Sequence, residues 1–271
     1  KAILRSVRRI WIDTDLALGA ARGDVDDGFA VAAVAMAAAL SPRQVELLGI
    51  SVVAGNAPAG VALDCTKRLL AVLGTETTVV PEADAAQALA SLPAQTSVLA
   101  IGPPRNLVAA AARDPDWPAR TSVRVVGTVH RRWRHPLLRW YCLNFGRQRA
   151  DAAHFFRLSF QERRIFPLDI TQQLRFGRQE LVSIGATGTA GAYLAHHSER
   201  WLRQAPLRYR SGSFPAWDLV AALDALGRLP GIRFAANGIV EAFDPVAASQ
   251  QFFALLSGFE TGRSLPSGGE S

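Results

Sequence analysis

The chain has 271 residues, of which 49% are hydrophobic and 20% charged. That length suits one large domain with a sizeable core, and the composition excludes a disordered polyelectrolyte. The net charge of +7 comes mostly from arginine and reads as a solvated basic surface, since no long basic tail or RNA-module signature accompanies it. No nucleic-acid partner is therefore expected.

The residues alternate between strand and helix signals. Arg9 to Asp13 is a short apolar run ending in Asp-Thr-Asp and reads as a buried strand. Asp24 is placed to cap a helix running through Phe29, Val31, Val34 and Met36 to about Leu40, where Ser41-Pro42 stops it. Val45 to Val53 reads as the next strand and Pro58 to Leu73 as a helix. Short strands follow at Val79-Val80 and Ser97–Ile101, then a helix opened by Pro103-Pro104, a strand at Val123–Val126, a helix at Arg149–Phe156 and a strand at Arg164–Leu168.

This order predicts an α/β fold: a mostly parallel central sheet flanked by helices, Rossmann-like in its logic. Residues 1–260 form one expected domain. The Gly/Ser-rich segment 261–271 is expected to be a flexible tail. No run of about 18 apolar residues with membrane flanks is present, so no membrane partner is expected. Two cysteines, Cys65 and Cys142, cannot build a disulfide framework, and a reducing cytoplasm is the expected setting.

The segment Asp13-Thr-Asp15 to Asp27 carries five aspartates: Asp13, Asp15, Asp24, Asp26 and Asp27. Asp13 and Asp15 share a strand face by the two-residue period. Asp26 and Asp27 fall in the first turn of the next helix. A strand–loop–helix unit thus brings carboxylates to one crevice at the carboxyl end of the sheet. Helix capping accounts for Asp24 and Asp26, but not for acids ending a buried strand. Converging carboxylates must take up protons or a cation. All-oxygen ligands without nearby His or Cys favour a hard ion, and a flexible many-ligand site favours Ca²⁺.

With these residues on the page, the chain resembles the inosine-uridine preferring nucleoside hydrolases, the nucleoside N-ribohydrolase family. The resemblance rests on Asp13-Thr-Asp15 with Asp26-Asp27-Gly-Phe-Ala, Val52-Val-Ala-Gly-Asn56, Leu99-Ala-Ile-Gly-Pro-Pro-Arg-Asn106, Leu143-Asn144-Phe, Pro167-Leu-Asp-Ile-Thr171 and Trp217-Asp218, all in the expected order. It implies Ca²⁺-dependent hydrolysis of a ribonucleoside to ribose and free base, in nucleoside salvage, by a homo-oligomer (dimer or tetramer). Asp15 would be a metal ligand and the general base. Asp27 and Asp218 would be carboxylate ligands, and Ile101 would lend its backbone carbonyl. Asp26, Asn56 and Asn144 would hold the ribose hydroxyls, with Asp13 in support behind them.

The sequence departs from that pattern in three places. The loop between Asp15 and Asp26 is several residues longer. Trp217 stands where many members place a histidine that protonates the leaving base; a tryptophan can only stack, which points to purine nucleosides. Cys142 stands where the family has a glutamate contacting the ribose 5′-hydroxyl, and Arg131, Arg132, Arg134 and Arg139 precede it. That stretch reads as a solvated basic loop, with acceptance of a 5′-phosphate as the alternative. Trp133 and Trp140 are candidates for a second stacking ring, and His130 and His135 for groups within reach. His196 and His197 read as surface or packing residues. Two rival functions are a haloacid dehalogenase-type phosphohydrolase, with Asp13 as nucleophile, and a non-catalytic ribonucleoside or ribose binder on the same fold.

Overall fold

The computed structural model describes residues 7–21, 23–128, 142–204 and 212–264. The expectations placed on 130–140 (His130, Trp133, His135, Trp140 and the neighbouring arginines) lie outside these residues. Strand β1 (Arg8–Thr14) sits inside a six-stranded parallel sheet with β2 (Val45–Val52), β3 (Val79–Val80), β4 (Thr96–Ala100), β5 (Thr121–Val126) and β6 (Glu162–Phe166), in the order β3-β2-β1-β4-β5-β6. From Ile10 onward every residue of β1 is buried. Burial on both faces explains why the strand is an unbroken apolar run and not an alternating one.

The strand order reverses between β2 and β4, on either side of β1. At such a switch point the loops leave the sheet in opposite directions and open a crevice at the carboxyl ends. Register aligns the tips that border it: Asp13 lies beside Ser51 of β2 and Ala100 of β4, and Val126 of β5 lies beside Phe166 of β6.

Helix α1 (Asp26–Leu40) packs against α2 (Ala59–Leu73) and two helices from the end of the chain, α9 (Trp217–Ala225) and α10 (Pro245–Ser264). Twelve of its fifteen residues are buried. Its many alanines let neighbouring helices approach closely on all sides. Phe29 anchors this layer, with ring centroids of Phe176, Phe214 and Phe252 at 5.3–5.5 Å. On the other face, α3 (Glu82–Ala90), α4 (Arg105–Arg113) and α5 (Arg149–Phe155) cover a second core around Trp117, Leu107 and Phe155.

Several details differ from the sequence reading. Asp24 does not cap α1: Val25 is the N-cap residue, without a side-chain cap, and Asp24 only accepts from the Val25 amide at 2.8 Å. The strand at Arg164–Leu168 ends earlier, because Pro167 cannot continue the ladder, and Leu168 opens α6 (Leu168–Thr171). Helix α10 continues to Ser264, so the segment expected as a tail from Thr261 begins in helix. The sequence reading leaves α3, α7 (Arg178–Gly185), and the antiparallel pair β7 (Arg175–Gly177) and β8 (Ser213–Pro215) unassigned. His196 is exposed and His197 half-buried on α8 (Thr189–Gln204), His197 packing against Tyr193 with ring centroids 4.5 Å apart.

Candidate active site

The tip of β1 is held by polar bonds reaching inward. Asp13 is fully buried and accepts from Ser51 Oγ and, at 2.8 Å, from Asn106 Nδ2, which also donates to the Val52 carbonyl at 3.0 Å. Trp11 Nε1 donates to the same Ser51 hydroxyl at 2.9 Å. Burial pushes the Asp13 carboxyl up to about 7, against the opposing pull of Asn106 and Ser51. Asp13 therefore joins three strands and does not face the crevice.

Thr14 turns the other way. Its hydroxyl donates to Asp27 and accepts from the Leu16 amide at 3.1 Å, tying the end of β1 to the first turn of α1. The intervening loop is apolar: Leu16, Ala17 and Leu18 are all fully buried. The lengthened loop thus packs into the core, and Asp26 and Asp27 arrive beside β1 as the shorter version would deliver them.

Asp15 is fully buried and takes the Asn56 backbone amide on Oδ2 at 2.5 Å, while its Oδ1 has no partner. Two glycines make room for it. A Cβ on Gly55 would stand 2.0 Å from Asp15 Oδ2, and one on Gly102 would stand 3.0 Å from the Asp15 amide nitrogen. No larger residue fits at Gly55 without moving the carboxylate.

Asp218, in the first turn of α9, completes the group. Asp26, Asp27 and Asp218 offer carboxylate oxygens that all lie within 4.8 Å of one another. All three are buried, and none of them forms an ion pair among the described residues, nor does Asp15. Burial is the main force raising each carboxyl. Asp27 reaches about 7, with the Thr14 hydroxyl opposing the rise. Asp15 is pushed well up by burial and then by the charge of Asp27, Asp26 by burial and then by Asp24, and Asp218 by burial and then by Asp26. Without a cation these acids must hold protons.

The donor set fits a hard cation. It is all oxygen, it is buried, and it includes a carboxylate atom with no other partner. A cavity of about 330 Å³ lies above it, lined by Asp24, Asp26, Asp27 and Asp218 at the floor and by Asn56, Asn144, Leu168, Gln172, Arg175 and Trp217 among its walls.

Of the residues singled out from sequence, Asp26, Asp27, Asn56, Ile101, Asn144, Trp217 and Asp218 all border this cavity. Asp15 lies behind them, in electrostatic contact with Asp27 and Asp218. The geometric carboxylate group contains Asp26, which sequence reasoning assigned to ribose. The Ile101 carbonyl, assigned to the ion, accepts from Asn144 Nδ2 at 2.7 Å. The Trp217 indole borders the cavity and donates from Nε1 to the Leu168 carbonyl at 3.1 Å. Cys142 also lines it, buried, its thiol pushed upward by that burial. Sequence reasoning missed Gln172 and Arg175. Their only signal is proximity to the Pro167–Thr171 motif.

Solved structures match this architecture over nearly the whole chain. The inosine-uridine preferring nucleoside hydrolase from Bacillus anthracis superposes with a TM-score of 0.69 at 13% identity, covering 93% of this chain and 100% of that one. The purine-preferring ribonucleoside hydrolase from Gardnerella vaginalis gives 0.70 at 15% identity, covering 93% and 99%. The chain has the nucleoside hydrolase fold. The same fold is shared, at a TM-score of 0.70, 14% identity and 94% coverage of each chain, by the type III effector protein XopQ, solved complexed with adenosine diphosphate ribose. No family model and no curated protein matches the sequence. At such identities the likeness is one of fold, and within the nucleoside hydrolase fold this chain keeps the acidic floor while carrying Trp217 and Cys142 on its walls. Among the described residues, no helix is long and apolar enough to cross a membrane.

Proposed function

We propose that this chain hydrolyses the N-glycosidic bond of ribonucleosides, with purine nucleosides preferred and Ca²⁺ as cofactor. The observation that carries the reading is the meeting of Asp26 and Asp27, from the first helix, with Asp218, from a helix near the other end of the chain, at the floor of a closed-sided cavity. Asp15, Asp27 and Asp218 would hold the ion, with the Ile101 carbonyl beside them. When bound, Ca²⁺ would supply charge neutralisation for the acids and acidify a nearby water.

The chain's own groups account for the rest. Asp15 takes the proton of the attacking water through the oxygen that has no other partner. Breaking the bond from C1′ to the base builds positive charge on the sugar, and the clustered carboxylates stabilise that charge. Asp26, Asn56 and Asn144 hold the ribose hydroxyls. Trp217, its indole N–H fixed by Leu168, offers a flat apolar face on which a purine stacks.

Asp13 is a poor phosphoryl nucleophile, since its carboxyl is bonded to Ser51 and Asn106 and does not line the cavity. That weighs against the phosphohydrolase reading. A second reading is a ribosyl-ligand binder without turnover, favoured by the effector of the same fold with its bound adenosine diphosphate ribose. Reducing-sugar release from a panel of nucleosides, with Ca²⁺ and with chelator, decides between them. Ribose release that requires Ca²⁺ and disappears in Asp15→Asn supports hydrolysis. Nucleoside binding with no ribose released leaves only the binder. A homo-oligomeric state and a cytoplasmic place in nucleoside salvage belong to the same reading, and sedimentation tests the first.

A further inference from the structure

We infer that Arg175 reads the leaving base and selects 6-oxopurine over 6-aminopurine nucleosides. The inference rests on the ribonucleoside reading above and adds the base that the site accepts.

The cavity is bipolar. Its floor is a set of buried aspartates, and Arg175 is the lone cationic side chain among its lining residues. Arg175 begins β7 and pairs in register with Pro215 of β8, which itself lines the cavity just ahead of Trp217 and Asp218. The guanidinium is not free to swing. Its Nε donates to Ser213 Oγ at 3.1 Å and its Nη2 to the Ser213 carbonyl at 2.9 Å. Both bonds go to neutral acceptors, and Arg175 forms no ion pair among the described residues. Its charge and its Nη1 donors are therefore left for whatever fills the cavity.

The floor takes the sugar, so the base must extend toward the walls. There Trp217 is held by Leu168 and defines a stacking plane. A guanidinium at the edge of that plane presents donors only. The N7/O6 edge of hypoxanthine or guanine presents two acceptors, matching a guanidinium fork. The corresponding edge of adenine pairs one acceptor with an amino donor, which a guanidinium cannot satisfy. As the C1′–N9 bond breaks, its electron pair passes into the purine ring. A water oxygen bonds to C1′ and gives one proton to Asp15, and the departing base takes a proton from solvent. A cation at N7/O6 stabilises that electron-rich base, a role that Trp217 cannot fill.

The test is the ratio of kcat/KM for inosine to that for adenosine, in the native protein and in Arg175→Met, which keeps the alkyl stem. A ratio is insensitive to the fraction of protein folded. The expected result is an inosine preference of roughly tenfold to a hundredfold, the discrimination of one bidentate pair at an exposed rim, falling to near unity in Arg175→Met with most of the loss in kcat. A preference unchanged by the substitution, or a native preference for adenosine, overturns the inference and leaves ribonucleoside hydrolysis standing. A gain for inosine 5′-monophosphate over inosine that Arg175→Met abolishes also overturns it, since Arg175 would then serve the sugar's 5′ end. Absence of ribose release from every nucleoside overturns the underlying reading, and this one with it.

Discussion

The side-chain amide of Asn144 spans two strand tips, donating to the Ile101 carbonyl beyond β4 at 2.7 Å and to the Val126 carbonyl ending β5 at 3.1 Å. It closes the sheet's carboxyl edge beside the acidic floor and lines the cavity at the same time. Asn144→Ala removes both bonds, each worth about 1 kcal/mol. The melting temperature should fall by roughly 2–8 °C in a chain of this size. Ribose affinity should fall by about tenfold or more. Differential scanning fluorimetry and ribose inhibition constants check the two effects separately. A melting loss without any change in ribose affinity would restrict Asn144 to a structural part.

The acidic floor predicts an inverted pH response. Asp13 and Asp27 have carboxyls raised to about 7 in the folded chain, whereas the unfolded chain titrates near ~3.9. The folded state thus binds more protons between these values. In chelator, stability from these groups is fully present below about pH 4 and lost as pH rises through about 7. Ca²⁺ replaces the protons, so the stabilisation it gives should grow from pH 5 to pH 8. At a hundredfold excess over its dissociation constant the gain is about 2.7 kcal/mol. Melting curves across pH, with Ca²⁺ and with chelator, test this, and Asp218→Asn should abolish most of the Ca²⁺ response. A Ca²⁺ shift of equal size at pH 5 and pH 8 would contradict proton displacement.

Gly55 separates positioning from folding. Its backbone passes so near Asp15 that an added methyl would sit 2.0 Å from Oδ2 and 2.9 Å from Pro103 Cδ. Gly55→Ala should displace the Asp15 carboxylate and cut turnover by about a hundredfold or more, as misplacement by about 1 Å does elsewhere, while a folded protein remains. Gly60→Ala, where an added methyl meets nothing within 4 Å, should leave both turnover and fold intact, with a small gain in helix stability. Near-native activity in Gly55→Ala would remove Asp15 from the chemistry.

Helix α9 brings a second aspartate to the opposite end of the sheet. Asp224 accepts from Arg124 Nε at 2.7 Å and from Arg164 Nη1 at 2.8 Å, and it is only 5% exposed. Asp224→Ala leaves Arg124 buried without its partner and should destabilise the fold by about 3–5 kcal/mol. Denaturant unfolding measures this. The protein that remains folded should respond to Ca²⁺ as before, because Asp218, not Asp224, borders the cavity.

The sequence by itself determined the parallel α/β class, the strand that ends in Asp-Thr-Asp and the acidic first turn of α1. These are local facts: periodicity, continuous burial and helix punctuation act over a few residues. It also marked Asn56, Asn144, Trp217 and Asp218 through motifs in order. It did not place Asp24, whose cap position goes to Val25, and it gave no weight to Thr14, which carries the bond to Asp27. Only the tertiary structure decided that Asp26 joins Asp27 and Asp218 while Asp15 stands behind them. It alone decided that Ile101 and Asn144 bond each other and that Arg175 enters the same cavity. The reason is physical. A carboxylate's neighbours are set by strand order and by which helices close over β1, and those depend on packing between segments far apart in the chain.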